Sequence, residues 1–256
     1  MRQTLDEVLA SPPREELSRP EWLWRVLEPQ VRERLEGRVE RRIRESRLPA
    51  RKTLEAFDFD FQPKLDRDLV LELATLRFIE RGFNVLLAGM SGTGKSHIAM
   101  ALALVACADN RRVRYTTSAQ MLSTLNAALA DGSLERALRQ YTQPDLLVID
   151  EVGLEQVERS AASRAGLMQK VLLPRHERRS TIVTSNITWE SWGDYLGDHL
   201  GAAALIDRLI HHSHVIVING PSYRDHEHRK DVGNERKGDA QEASKAKGRQ
   251  RVTPKP

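Results

Sequence analysis

The chain has 256 residues, 40% of them hydrophobic and 30% charged, a globular balance that suits one full α/β domain with smaller appendages. No apolar run reaches the ~18 residues of a membrane-spanning helix, and Met1–Ser11, with Asp6 and Glu7, lacks a signal-peptide pattern, so a cytoplasmic location is expected. The net charge of +4 resides in residues 224–256, which hold ten Lys/Arg against six Asp/Glu.

Residues 1–60 predict a small, polar, helical region. From Pro20 to Ser46, the residues Trp22, Leu23, Val26, Leu27, Val31, Leu35, Val39 and Ile43 recur at steps near three and four, an amphipathic stripe that Pro29 either starts or kinks. Residues 32–52 carry nine Arg/Lys against four Glu. That mixture fits either a solvated, salt-bridged helix face or a surface for a polyanion, since Lys/Arg clusters displace counterions from phosphate backbones. Pro49 and Phe57-Asp58-Phe59-Asp60-Phe61 end the helical region; the alternating aromatics predict an extended arm packing on a neighbour.

Residues 61–223 alternate strand and helix patterns. Short apolar strands are expected at Asn84–Ala88, Val113–Thr116, Leu146–Asp150, Thr181–Ser185 and Val215–Ile218, with a helix from Lys95. Such runs separated by helices indicate a five-stranded parallel sheet covered on both faces. Cys107, in an apolar helical run, reads as a buried, inert thiol. Residues 224–256 have almost no large apolar side chains and read as a basic, disordered tail.

The strongest motif is Gly89-Met90-Ser91-Gly92-Thr93-Gly94-Lys95-Ser96. It meets the pattern G-x-x-x-x-G-K-[ST] in full, follows an expected strand and opens an expected helix, followed by His97. Glycines let backbone N–H groups wrap a phosphate chain at a helix N-terminus, Lys95 neutralises β and γ charge, and the Ser96 hydroxyl completes a Mg²⁺ shell. Sixty residues on, Leu146–Glu151 reads as a buried strand with two carboxylates at its C-terminal end, where open α/β sheets bind ligands. Asp150 suits a Mg²⁺ ligand and Glu151 a base for in-line water attack, which favours hydrolysis over phosphoryl transfer to a metabolite.

Weaker signals surround this pair. Asn186 ends the fourth strand and either orients the attacking water or makes a strand-end turn. Arg208 precedes the fifth strand and is either a surface arginine or one that acts in trans on a neighbour's γ-phosphate; Arg178 is an alternative for that role. His211, His212 and His214 sit close together, but adjacent histidines on one element should point different ways. No cysteine or carboxylate cluster joins them in sequence, so they do not read as a metal site; His226 and His228 read less so.

Several segments together resemble the IstB-type transposition helper ATPases, AAA+ proteins related to the DnaC helicase loader. They are Gly89–Ser96, Asp131–Leu134, Pro144–Glu151, Glu177–Asn186, Glu190–Gly193, Leu205–Leu209, His211–Ile218 with Ser222-Tyr223-Arg224, and, upstream, Leu54–Phe59. The resemblance spans residues 40–224. One departure is at Asp150-Glu151, where many members read Asp-Asp or Asp-Glu followed by Leu-Gly, although Val152-Gly153 keeps the glycine; the basic tail is another. The resemblance implies an accessory ATPase that oligomerises with ATP and Mg²⁺ on double-stranded DNA, bends that target and stimulates a transposase. It makes Lys95 and Ser96 the phosphate and Mg²⁺ contacts, Asp150 the Mg²⁺ residue, Glu151 the catalytic base and Asn186 a sensor of the γ-phosphate. It makes Arg208 the finger of a neighbouring subunit and Arg224 a second sensor. It also turns Arg34, Arg38, Arg41, Arg42, Arg44 and Arg47 toward a reading as a DNA-facing or oligomer-facing helix, making phosphate contacts. A DnaC-like helicase loader, a small-molecule kinase and a non-hydrolysing nucleotide-dependent scaffold are the competing readings.

Overall fold

A computed structural model describes residues 18–154 and 164–226; the tail beyond residue 226, including His228, lies outside the described residues. Five strands form one sheet: β1 (Asn84–Gly89), β2 (Val113–Thr117), β3 (Leu146–Val152), β4 (Ser180–Ser185) and β5 (Ser213–Ile218). Their order is β2-β3-β4-β1-β5 and every neighbouring pair is parallel. The expected strands therefore form, each within two residues of its expected ends.

Strands β1, β3 and β4 are buried on both faces, so their alternate residues feed two cores; the expected cover is incomplete at the edge strand β5, where Val215 and Val217 are exposed. Val85, Leu87, Leu146, Val148 and Ile182 pack on one side with the helix after β1, Lys95–Ala108, and with Val70, Leu73 and Phe78. Leu86, Leu147, Ile149 and Val183 pack on the other with Met121, Met168, Trp192 and Leu205. Cys107 is fully buried, and burial raises its thiol pKa, as suits an inert side chain. Beneath the second core, Arg175 is 1% exposed. Its guanidinium donates to the carbonyls of Tyr141, Pro144 and Ser180 and to Thr181 Oγ1, which ties the entry of β3 to the start of β4.

In the N-terminal region one expectation is corrected, that of an extended aromatic arm. The first described helix, α1 (Arg19–Ser46), begins where Ser18 N and Oγ both donate to the Glu21 carboxylate, and it runs through Pro29. Its stripe is not a core face. Val26 is buried and Ile43 packs against the domain, but Trp22, Leu23, Trp24, Leu27, Val31 and Leu35 are exposed. The aromatic arm is not extended. It closes as successive turns, with Phe57 N donating to Leu54 O, Gln62 N to Phe59 O and Leu65 N to Gln62 O, and folds back on its own domain. Phe57 and Phe59 meet edge to face at 4.8 Å and both pack on the first core, which accounts for the alternation of apolar residues.

Candidate nucleotide site

At the C-terminal ends of β1 and β3 lies a cleft of ≈ 410 Å³, within the range of small-molecule sites. Its floor is the loop between β1 and the Lys95–Ala108 helix. Gly92 and Gly94 have φ of +79° and +98°, so the loop curls in a left-handed way that other residues resist. Any side chain at Gly94 would also meet the Phe57 ring, 2.6 Å from where a Cβ would stand. The backbone thus passes closely beneath its cover, and the helix N-terminus turns its free N–H groups and positive dipole end toward the cleft.

Lys95 is 4% exposed, and its Nζ donates to Gly89 O at 2.8 Å and Met90 O at 2.7 Å. Burial lowers its pKa to about 8; the nearby Asp150 carboxylate works against that shift and Arg224 adds to it. Ser96 Oγ donates to Asp150 Oδ1 at 2.9 Å. Asp150 is 2% exposed and receives two further hydroxyl donors, Tyr115 from β2 and Thr184 from β4. Burial and the Asp150 carboxylate raise the Tyr115 pKa, so the phenol remains a donor. Neither Tyr115 nor Thr184 was singled out in the sequence. Both strands flank β3, so the signal was the strand order rather than any local motif.

Glu151 lines the same cleft as Lys95. It has φ of +63°, and the pairing of β3 with β4 shifts register between Ile149 and Val152. Its backbone N donates to Thr184 Oγ1 at 2.9 Å. Such a bulge re-aims a side chain out of the regular alternation, and non-glycine residues held at positive φ gather at functional sites. Asn186, bonded through its backbone N to Val152 O at 3.1 Å, lines the same cleft.

Two segments close the cleft. Lys52, Ala56, Phe57, Asp58, Phe61 and Gln62 come from the folded arm. Tyr223 and Arg224 come from a helical turn over 223–226, anchored by Tyr223 N donating to Gly92 O at 2.9 Å. Phe61 packs edge to face on Tyr223 at 5.2 Å, and Gln62 Nε2 donates to Pro221 O, so the segments hold each other. His97 bonds Thr53 O at 2.8 Å and meets Phe57 edge to face, tying the helix to the arm. Met90 and Ser91 are exposed at the loop tip, and Thr93 is buried with its hydroxyl on Met90 O.

The structure thus gathers Gly92, Gly94, Lys95, Ser96, His97, Asp150, Glu151, Asn186 and Arg224. It does not bring Arg208 to them. Arg208 lines a separate groove with Asn84 and Thr181, at the strands' opposite ends, and donates to Ala204 O on its own helix. Arg34, Arg38, Arg41, Arg44 and Arg47 are exposed on or just after α1. Arg42 is half-buried, with Nε on Asn110 Oδ1 at 3.0 Å and Nη1 3.6 Å from Glu45, which binds it to the domain.

The family model described as "IstB-like ATP binding protein" matches residues 1–231. An ATP-binding protein of insertion sequence IS21 from Pseudomonas aeruginosa is 40% identical over 226 residues, 88% of this chain and 84% of that protein. Another, of insertion sequence IS5376 from Geobacillus stearothermophilus, is 36% identical over 208 residues, 81% of this chain and 82% of that one. Among solved structures, DnaI superposes with a TM-score of 0.52 at 22% identity, covering 67% of this chain and 90% of that one. The replication initiator DnaA bound to AMPPCP and single-stranded DNA also gives 0.52, at 20% identity, over 68% of this chain and 52% of that one. These likenesses bear on the fold, which is that of an AAA+ P-loop domain.

Proposed function

As a member of the family of IstB-like ATP-binding proteins, the chain has a coarse role already, and we propose a finer one: an ATP-hydrolysing helper of transposition that oligomerises on double-stranded DNA and stimulates the transposase of its insertion sequence. The observation that carries this is the pairing of Glu151 and Lys95 in one cleft while Arg208 stands at the other end of the sheet.

The residues fit a Mg²⁺–nucleoside triphosphate. Backbone N–H groups of the loop and the Lys95 ammonium would bind the phosphates, and Ser96 and Asp150 offer oxygens already 2.9 Å apart for the metal. Mg²⁺ bound there supplies charge neutralisation for the phosphates. Glu151 takes the proton of an attacking water at its carboxylate, and Asn186 orients that water. The Phe57 and Phe61 rings, with Tyr223, exclude solvent from the base side of the cleft. Arg208, which lies away from its own cleft, acts on the γ-phosphate of a neighbouring copy. Its exposed arginines support α1 as the DNA-facing element: Arg34, Arg38 and Arg41 follow at steps of four and three and so share one helix face. No helix among the described residues is long and apolar enough to cross a membrane.

A strand-transfer assay with an IS21-type transposase tests the proposal. ATP-dependent stimulation by the wild type and none by Lys95→Ala are expected. Equal stimulation by both would overturn the ATP-driven reading, and stimulation by neither would point to the helicase-loader alternative.

A further inference from the structure

At the sheet's other end, two segments distant in sequence converge on one carboxylate. Glu177, in the turn before β4, has its Oε1 3.7 Å from His176 Nε2, 3.9 Å from His211 Nδ1 and 3.5 Å from His212 Nε2. The ligand atoms of His176, Glu177 and His211 all lie within 4.8 Å of one another. His211 and His212 end the helix that carries Arg208 and lead into β5. Adjacent side chains were expected to diverge, but His212 has φ of +59°, so both rings turn to the same side, with centroids 4.0 Å apart. Glu177 is itself at φ +57°. Phe83 stacks on the His212 ring at 5.2 Å and an interplanar angle of 24°, fixing its plane.

Those separations are too long for good hydrogen bonds. They are close to the edge of a tetrahedron around an ion with ligand bonds of ~2.0–2.2 Å, which is about 3.3–3.6 Å. Two or three imidazoles with a single carboxylate suit zinc and its first-row neighbours; Mg²⁺ and Ca²⁺ demand more oxygens than the cluster offers. We infer that His176, Glu177 and His211 form a three-ligand binding site for a divalent transition-metal ion of the zinc type, with the fourth position left to solvent. Such an ion joins the turn before β4 to the C-terminal end of the Arg208 helix. The site is independent of the nucleotide cleft, which lies beyond the other ends of the same strands.

The test uses the full-length, tag-free chain, titrated with Zn²⁺ by calorimetry and with Co²⁺ by visible absorption. One equivalent should bind, with the strong absorption of four-coordinate Co²⁺. His211→Asn and Glu177→Gln, both at exposed positions, should each weaken binding by about tenfold or more. Asp150→Asn, which alters the nucleotide cleft, should leave it intact. Zn²⁺ should also raise the melting temperature of the wild type and not of His211→Asn. Absence of binding, equal binding by the cluster variants, or loss of binding only in Asp150→Asn would each overturn the inference without touching the ATPase reading.

Discussion

Ser96 Oγ and Asp150 Oδ1 lie 2.9 Å apart although 54 residues separate them, and this contact joins the phosphate loop to the end of the central strand. Tyr115 and Thr184 hold the same carboxylate from the strands on either side. The Asp150 side of the cleft is therefore built by three adjacent strands and depends on their register. Replacing Tyr115 by Phe keeps the ring and removes one donor from a buried carboxylate. A loss of about 1–3 kcal/mol is expected in denaturant unfolding, with ATP still bound. Unchanged stability would mean that Asp150 does not rely on the phenol.

Glu151 is held at positive φ by the β3 bulge and faces the cleft. As the base, it contributes to turnover and little to binding. Glu151→Gln should lower steady-state ATP hydrolysis by about a hundredfold or more while fluorescent-ATP affinity stays within a few-fold. Retained turnover would remove the base assignment.

Lys95 gives a pH dependence with a defined sign. Its pKa is depressed to about 8 by burial, so the ammonium is present below that pH and is lost as pH rises through it. Bound phosphate favours the charged form, so binding takes up a proton above pH 8. ATP affinity should be flat below pH 8 and then fall, by up to about tenfold per pH unit. Calorimetry across pH 6.5–9.5, spanning roughly 1.5 units on either side of that pKa, reads this, and Lys95→Met should show weak binding with no break near pH 8.

The proposed trans role of Arg208 predicts that hydrolysis depends on a second copy. Arg208→Ala should lose turnover by about a thousandfold, as should Lys95→Ala. Mixing the two should restore part of it, because one variant keeps the loop and the other the arginine. A mixture no more active than its components would place the finger elsewhere, Arg178 being the next residue to change.

Much of this was legible in local sequence. The phosphate loop is contiguous, and the buried strands are short apolar runs, so both are written in adjacent residues. What was not legible depends on which strands are neighbours. Tyr115 and Thr184 reach Asp150 only because β3 lies between β2 and β4, and no periodicity encodes that order. The cover made by Phe57 and Phe61 was read as an arm for a neighbour because its turns leave the same alternation as a strand. The stripe on α1 shows the converse: helical periodicity was correct, yet it cannot say whether an apolar face turns to the core or to the surface.

The central claim is that ATP in this cleft controls DNA binding by the chain. Fluorescence anisotropy with a labelled duplex, in ATP, ADP or no nucleotide over a salt series, tests it most directly. The account predicts binding that weakens steeply with salt and is about tenfold or more tighter with ATP for the wild type, with no nucleotide effect for Lys95→Ala. Equal affinity of the wild type in all three nucleotide conditions would contradict it.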